Sequence, residues 1–333
     1  MSTRIRVGIV GYGNLGRGVE TAIGLNPDME LVGVFTRRDP QSVQTVGENT
    51  QAFTMSELDR DRDDIDVLIL CGGSRSDLPE QSPAQAGRYN IVDSYDNHAH
   101  IPEHFAAVDA AAQTAGTTAV ISTGWDPGLF SLNRVFGESI IPQGATYTFW
   151  GRGLSQGHSD AVRRVPGVAA GVQYTLPSET AIERVRAGEN PELSTRERHT
   201  RECFVVLEEG ADAEQVRTDI VTMPDYFEPY DTTVHFITAE ELARDHQGMP
   251  HGGFVIRSGQ TSGGTTSEGT KQVIEYSLAL ESNPEFTASV LVAYARAAAR
   301  MNRAGDIGAK TVYDVAPGLL SPLSPEELRK SYL

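Results

Sequence analysis

The first third of the chain alternates short apolar runs with stretches of helical period. Five runs stand out: Ile5 to Val10, Glu30 to Phe35, Asp66 to Cys71, Asn90 to Tyr95 and Thr118 to Thr123. Most are apolar without a two-residue alternation, the signature of strands covered on both faces, and the helical stretches between them serve as the crossovers that parallel neighbours require. The pattern predicts an α/β fold built on a Rossmann-type, doubly wound parallel sheet. From about Ala145 it changes. In Lys271 to Leu280, the residues Ile274, Tyr276, Leu278 and Leu280 point one way, as in a half-covered strand of a mixed, largely antiparallel sheet. Helices over Glu179 to Gly188 and Ala213 to Met223 are expected on one side of that sheet, giving an α+β second domain. Farther on, Phe286, Val290, Tyr294, Ala297 and Met301 form one helical stripe that must bury, and it is assigned back to the first lobe. The expected division is therefore residues 1–125 completed by residues 286–333, and residues 126–285. The Gly, Ser and Thr content of Arg257 to Thr270 predicts a mobile surface loop.

Composition agrees with two lobes, since 333 residues exceed one ordinary core. No apolar run approaches the ~20 residues that span a bilayer, and the first residues carry no cleavage-site pattern, so a cytoplasmic protein is expected. Cys71 and Cys203 lie in apolar segments without metal spacing, which predicts reduced thiols and no metal site. A formal charge of −17 argues against nucleic acid or anionic membrane as partner, and fits either plain solubility or a high-salt habitat.

The first run leads straight into Gly11, Gly13 and Gly16, followed by a helical stretch and the second run. In that setting G-x-G-x-x-G is a dinucleotide signature: Gly11 for the tight turn, Gly13 for close approach to a pyrophosphate, Gly16 for helix packing. The second run ends on Thr36, Arg37 and Arg38, where an NAD site would carry a carboxylate for the ribose hydroxyl. Guanidinium groups instead suit a 2′-phosphate, so the predicted cofactor is NADP. Asp39 lies past both arginines, as their surface partner or as a turn residue before Pro40. Ligands of open α/β sheets bind outside the carboxyl ends of the strands. The other ends carry Cys71 to Ser74, Asp93 to His98 and Ser122 to Gly128, rich in glycine, hydroxyl and carboxylate while the run interiors have almost none. An enzyme cleft is expected there.

The segments `STGWDPG`, `FWGRGLSQGHSDAVRRVPGV`, `YTLPSE`, `MPDYF` and `GMPHGG`, together with `VGYGNLGRGVE`, resemble the meso-diaminopimelate D-dehydrogenases, and the similarity covers essentially the whole chain. The resemblance implies a homodimer that uses NADP to oxidise the D-configured amino centre of meso-2,6-diaminopimelate, in lysine biosynthesis, giving ammonia and L-2-amino-6-oxopimelate, which cyclises to tetrahydrodipicolinate. It further implies that residues 126–285 bind substrate and dimerise. Tyr12 to Leu15, with Gly13 and Asn14 between, would hold the pyrophosphate and Thr36 to Arg38 the 2′-phosphate, with Gly11 also on the cofactor side. Cys71, Gly72, Gly73, Ser74, Ser94, Tyr95, Asp96, Thr123, Gly124, Trp125, Asp126 and Pro127 complete the cofactor side. The D-centre pocket carries over to Asp96, Asp126, Trp150, Gln156 and Gly157, and the L-centre pocket to Thr175, Arg201, His251 and Asn283. Two departures from the family pattern are a longer, Ser/Gly-rich segment between His251 and Asn283 and a leucine at position 154.

The chemistry asks for such residues. Arg201 can grip a carboxylate bidentately, with Thr175, His251 and Asn283 adding hydrogen bonds. Asp96 and Asp126 can hold the reacting ammonium; because a carboxylate stabilises that cation, they orient rather than deprotonate it. His158 is a candidate base for the attacking water. Each residue also has a plain structural role available: Arg201 as an edge charge, His251 as a turn cap, Trp125 and Trp150 as core aromatics. Two other functions compete, an NADP-dependent reductase of a neighbouring lysine-pathway intermediate and a non-catalytic NADP sensor.

Overall fold

The computed structural model describes residues 4–58, 60, 63–262 and 269–333. The chain forms two units, one reaching to Leu132 and resumed from Pro284 to Leu333, the other Asn133–Asn283.

The first unit runs β1 (Ile5–Val10), α1 (Asn14–Gly24), β2 (Met29–Thr36), β3 (Ala52–Thr54), α2 (Met55–Leu58), β4 (Val67–Leu70) and α3 (Leu78–Ala86). It continues through β5 (Ile91–Asp93), α4 (Ile101–Ala115), β6 (Thr118–Val120) and the start of α5 (Leu129–Ile140). With β14 (Gly308–Lys310) at one edge, all pairings are parallel, in the order β14-β6-β5-β4-β1-β2-β3. The five expected runs are strands. Two three-residue strands that the apolar pattern did not mark, β3 and β14 (Gly308–Lys310), extend the sheet to seven. Alternate residues explain the unbroken apolar runs: Val7, Ile9 and Ile69 meet α1 and α11 (Asn283–Arg303) on one face, while Leu68 and Leu70 meet Leu78 of α3 and Val108 of α4 on the other. Helix α11 is buried well beyond the predicted stripe, Ala288, Leu291, Val292, Ala295 and Ala298 included. Its Arg296, 1% exposed, bonds both oxygens of Asp28, Asn26 Oδ1 and the carbonyl of Leu320. Short helices α12 (Pro317–Leu320) and α13 (Pro325–Tyr332) end the chain.

The second unit corrects the expectation of one sheet with both helices on one side. It has two sheets. β7 (Gln143–Trp150), β12 (His251–Gln260) and β13 (Lys271–Leu280) form an antiparallel sheet in the order β13-β12-β7. Helix α7 (Glu179–Arg186) packs Ile182 and Val185 on Tyr147, Phe149 and Ile256 of that sheet. The other sheet is mixed: β8 (Gly153–Leu154), β9 (Val168–Pro177) and β10 (His199–Leu207) are antiparallel neighbours, and β11 (Asp231–Phe236) is parallel to β10. Helices α6 (Gln156–Arg163) and α9 (Ala213–Val221) bury Val162, Val216 and Ile220 against Cys203 and Val205. Short helices α8 (Thr195–Arg198) and α10 (Ala239–Asp245) connect strands.

The predicted loop from Arg257 is also corrected. Arg257 to Gln260 belong to β12, and Arg257 is 6% exposed, donating to the carbonyls of Ile141 and Pro142 and to Thr146. Arg257 can be a buried strand residue because the last carbonyls before β7 accept from its guanidinium. Residues 263–268 of that expected loop lie outside the described residues.

Candidate active site

At the carboxyl end of β1, Gly11 adopts φ +89° and donates to the carbonyl of Phe35 at 2.8 Å. Gly16 packs so closely that a Cβ there would lie 2.4 Å from the Gly11 oxygen. Gly13 stands at the start of α1 with open space where a side chain would be, and no side chain caps the helix. The positive end of the helix dipole therefore favours an anion here. A cavity of about 280 Å³ opens here, lined by Gly13, Thr36, Arg37, Arg38, Gly72 and Gly73 among others. Asn14 and Leu15 form the first turn of α1, with Leu15 packed on the core.

The arginines are placed for a phosphate. Arg37 is largely exposed and donates to Asp77 Oδ1 at 2.7 Å; Arg38 donates to the carbonyl of Tyr12, and its own N–H is accepted by Thr36 Oγ1. Asp39 is a turn residue, accepting from Gln41 N at 3.0 Å, so the partner of Arg37 is Asp77. First the Gly73 N–H and then Arg37 hold the Asp77 carboxyl below its usual range. Tyr12 is buried and its hydroxyl bonds Glu20 and the N–H of Val46, which leaves only its backbone at the cradle. Burial raises its pKa to about 12, with Glu20 adding to the shift. An uncapped helix start, a cleared glycine cradle and two guanidinium groups at the end of β2 fit NADP.

Farther along the sheet, Ser74 Oγ accepts from Asp96 N at 2.9 Å, joining the segments after β4 and β5. Burial pushes the Cys71 thiol well up. Tyr95 is buried and stacks on His104 at 4.0 Å; Ser94 is half-buried and Asp96 exposed. After β6 the backbone turns through Thr123 and Gly124 to Trp125, which is 8% exposed and edge-on to Phe130. Asp126 and Pro127 follow, half-buried and joined by a cis peptide. The first unit also has a larger cavity, about 560 Å³, at the amino ends of its strands. There Asp66 already joins Arg6 and Arg303, and Asn90 and Asn302 bond backbone, so these lining groups are engaged within the chain.

In the second unit one face of β10 carries Val205 and Cys203 into the apolar core and then, nearer the strand's start, Arg201 and His199. Arg201 faces Thr175 on β9 and Thr232 on β11, and Thr175 faces Gly153 on β8, so a polar row crosses the sheet. Arg201 is 6% exposed. It donates to Thr175 Oγ1, its guanidinium lies 3.9 Å from the centre of the Tyr230 ring, and among the described residues its Nε has no partner. It has no carboxylate within 4.0 Å among the described residues, and burial lowers its pKa. Burial, with Arg201 adding, pushes His158 and His199 down to about 4. Both imidazoles are thus neutral at pH 7, with His158 Nδ1 beside Ser155 Oγ at 2.8 Å and His199 Nε2 accepting from Trp150 N at 2.9 Å. Trp150 ends β7, stacks on His199 and is 38% exposed.

His251 opens β12 and its ring fills the space over Gly153, 2.5 Å from where a Cβ would stand. Its Nδ1 accepts the Gly252 N–H at 2.8 Å. Asn283 begins α11 and donates its N–H to Met249, two residues before His251. Gln156 and Gly157 form the first turn of α6, behind the capping Ser155. The structure therefore gathers Thr175, Arg201 and His251, with His158 and Trp150 near by through Arg201 and His199. Sequence reasoning passed over Tyr230, His199 and Glu20. Only His199 carried a usable signal, as it shares the face of Arg201 at a two-residue period. Among the described residues no three His, Cys, Asp or Glu side chains gather as for a metal, and no helix is long and apolar enough to cross a membrane.

The profile of the diaminopimelic acid dehydrogenase C-terminal domain matches residues 124–282. The meso-diaminopimelate D-dehydrogenase of Ureibacillus thermosphaericus is 63% identical over 331 residues, 99% of this chain and 100% of that one. The crystallised diaminopimelate dehydrogenase of Corynebacterium glutamicum, in complex with DAP, is 50% identical with a TM-score of 0.89, covering 99% of this chain and 100% of that one. An engineered D-amino acid dehydrogenase bound to NADP+ is 48% identical with a TM-score of 0.84 and the same coverage. With identity this high along nearly its full length, and with the glycine cradle and the polar row both present, the chain belongs to the meso-diaminopimelate D-dehydrogenase family.

Proposed function

We propose that the protein catalyses the reversible, NADP-dependent oxidative deamination of the D-centre of meso-2,6-diaminopimelate to L-2-amino-6-oxopimelate and ammonia, in lysine biosynthesis. The observation that carries the substrate side is Arg201, a buried cation with an unpartnered Nε and no carboxylate beside it among the described residues. An uncompensated buried charge costs several kcal/mol, about 3–5 in mutational cases, so the site is completed by an anionic ligand. A carboxylate of the L-centre meets that need.

NADP, when bound, supplies the acceptor for the hydride that leaves the D-carbon. The chain's own groups do the rest. Arg201, with Thr175, His251 and Asn283, holds the L-centre, while Asp96 and Asp126 hold the ammonium of the D-centre, with Trp150 and the backbone of Gln156 and Gly157 beside it. Fixing the far end lets only one handedness present its hydrogen to the cofactor, and such positioning supplies up to ~7–11 kcal/mol of barrier lowering. The reacting nitrogen must lose a proton to form the imine. Water then adds, and burial, which holds His158 at about 4, makes that ring a weak acceptor for the water's proton. Arg37 and Arg38 hold the 2′-phosphate, and the first turn of α1 the pyrophosphate. The exposed apolar side chains Val135, Phe136 and Ile140 on α5 support a homodimer. The free thiols Cys71 and Cys203 fit a reducing cytoplasm.

The test is direct: incubate the protein with NADP and pure meso-, LL- or DD-diaminopimelate, following reduced cofactor by its absorbance together with ammonia release. Turnover with the meso form and little with the LL form is expected. Tight NADP binding without turnover would favour the sensor.

A further inference from the structure

Asp93, the last residue of β5, is fully buried and has no role in the reaction described above. Its carboxylate accepts four hydrogen bonds: from Ser82 Oγ of α3 at 2.7 Å, His104 Nε2 of α4 at 2.8 Å, Tyr95 N at 3.1 Å and Ser122 N at 2.9 Å. Its backbone carbonyl accepts from Thr123 N at 2.9 Å. One residue thereby fixes two backbone segments. The first, through Tyr95, leads directly to Asp96; the second, through Ser122 and Thr123, leads to Asp126. Ser122 is held at φ +53°, a conformation that a non-glycine residue keeps only where its surroundings impose it. The helix side is equally fixed, since His104 bonds the Asp93 carboxylate through Nε2 and stacks on the Tyr95 ring. An acceptor-only carboxylate is the one side chain of this size that can take all four donors at once.

We propose that Asp93 is the positioning residue of the reacting end of the site: through the N–H groups of Tyr95 and Ser122 it sets the spacing of Asp96 and Asp126. The inference rests on the assignment of those two carboxylates to the reacting amine. An apolar side chain at 93 leaves both N–H groups unpaired and frees the two segments to part, whereas Asn keeps one oxygen for them, and Ser82 and His104 can turn to accept its amide.

The experiment compares Asp93→Ala, Asp93→Asn and Asp126→Asn as full-length proteins, with kcat expressed per NADPH-binding site counted by fluorescence titration. For Asp93→Ala, kcat per site is expected to fall about tenfold to a hundredfold, the size of effect that small misplacement of reacting groups produces, with Asn at 93 recovering most of it. The KM for meso-diaminopimelate should change less than kcat, because the grip of Arg201 on the far end is untouched. A purely structural role lowers the number of sites and leaves kcat per site alone, so an Asp93→Ala value within about twofold of the parent overturns the proposal. Should that variant not fold, His104→Phe keeps the stacking on Tyr95 and removes one bond to Asp93; a severalfold fall is expected, and an unchanged kcat per site again overturns it. An Asp126→Asn protein with undiminished turnover would instead remove the assignment on which the inference rests.

Discussion

A guanidinium taken out of water without a counter-charge is the feature on which substrate recognition turns. Arg201→Met should lower kcat/KM for meso-diaminopimelate by about a hundredfold, the loss of charge-assisted bonds worth about 1.5–3 kcal/mol. Most of that loss should appear in KM, read from initial rates. The same group sits over the Tyr230 ring. Replacing Tyr230 by Leu removes a desolvated cation–π contact of about 2 kcal/mol, so KM should rise while kcat stays near the parent value. At the other end of the reaction, Arg37→Ala with Arg38→Ala should weaken NADP binding by about 2–4 kcal/mol, measured by fluorescence titration. The glycine cradle and the arginines were legible because their meaning lies in local spacing. Tyr230 was not, because it reaches Arg201 only when β11 comes alongside β10, and nothing in its own neighbourhood marks it.

Strands were legible where burial on both faces wrote unbroken apolar runs. β3 and β14 escaped because three residues at the edges of a sheet carry too little pattern, and both contain residues that are only half-buried. The second unit was read as one sheet because alternation shows which side of a strand is covered, but not which strands pair. Helix α7 and helix α9 look alike in sequence, yet they cover different sheets. Two substitutions probe how elements are held. Gly16→Ala drives a Cβ onto the Gly11 carbonyl and pushes α1 from the turn. A loss of about 1–3 kcal/mol in stability is expected from overpacking, with weaker NADP binding beside it. Arg296→Ala strips α11 of its bonds to the turn before β2 and leaves Asp28 without its closest partner; urea titration should show about 3 kcal/mol of lost stability.

For the protein as a whole, acid and association are the informative conditions. His158 and His199 have pKa values near 4 when folded, against 6.5 in the free side chain. In the unfolded chain these rings take up protons as the pH falls below 6.5, while the folded chain resists until about 4. Stability that is complete above pH 6.5 is therefore lost progressively down to about 4, which denaturation at stepped pH would record as a falling midpoint. Activity prefers higher pH as well, since the reacting amine must be unprotonated, and kcat/KM should climb with pH. If α5 forms the contact between copies, Phe136→Asp should halve the mass seen by light scattering, with the fold retained.

The return of α11 to the first unit bears on how the protein is made. Its alanine-rich surface completes the core over Val7, Ile9 and Val19, residues synthesised at the opposite end of the chain. A ribosome must therefore deliver nearly the entire polypeptide before that face of the sheet can close. Until then the nascent N-terminal half exposes the greasy side of its strands, and it should depend on holdase chaperones for as long as translation continues.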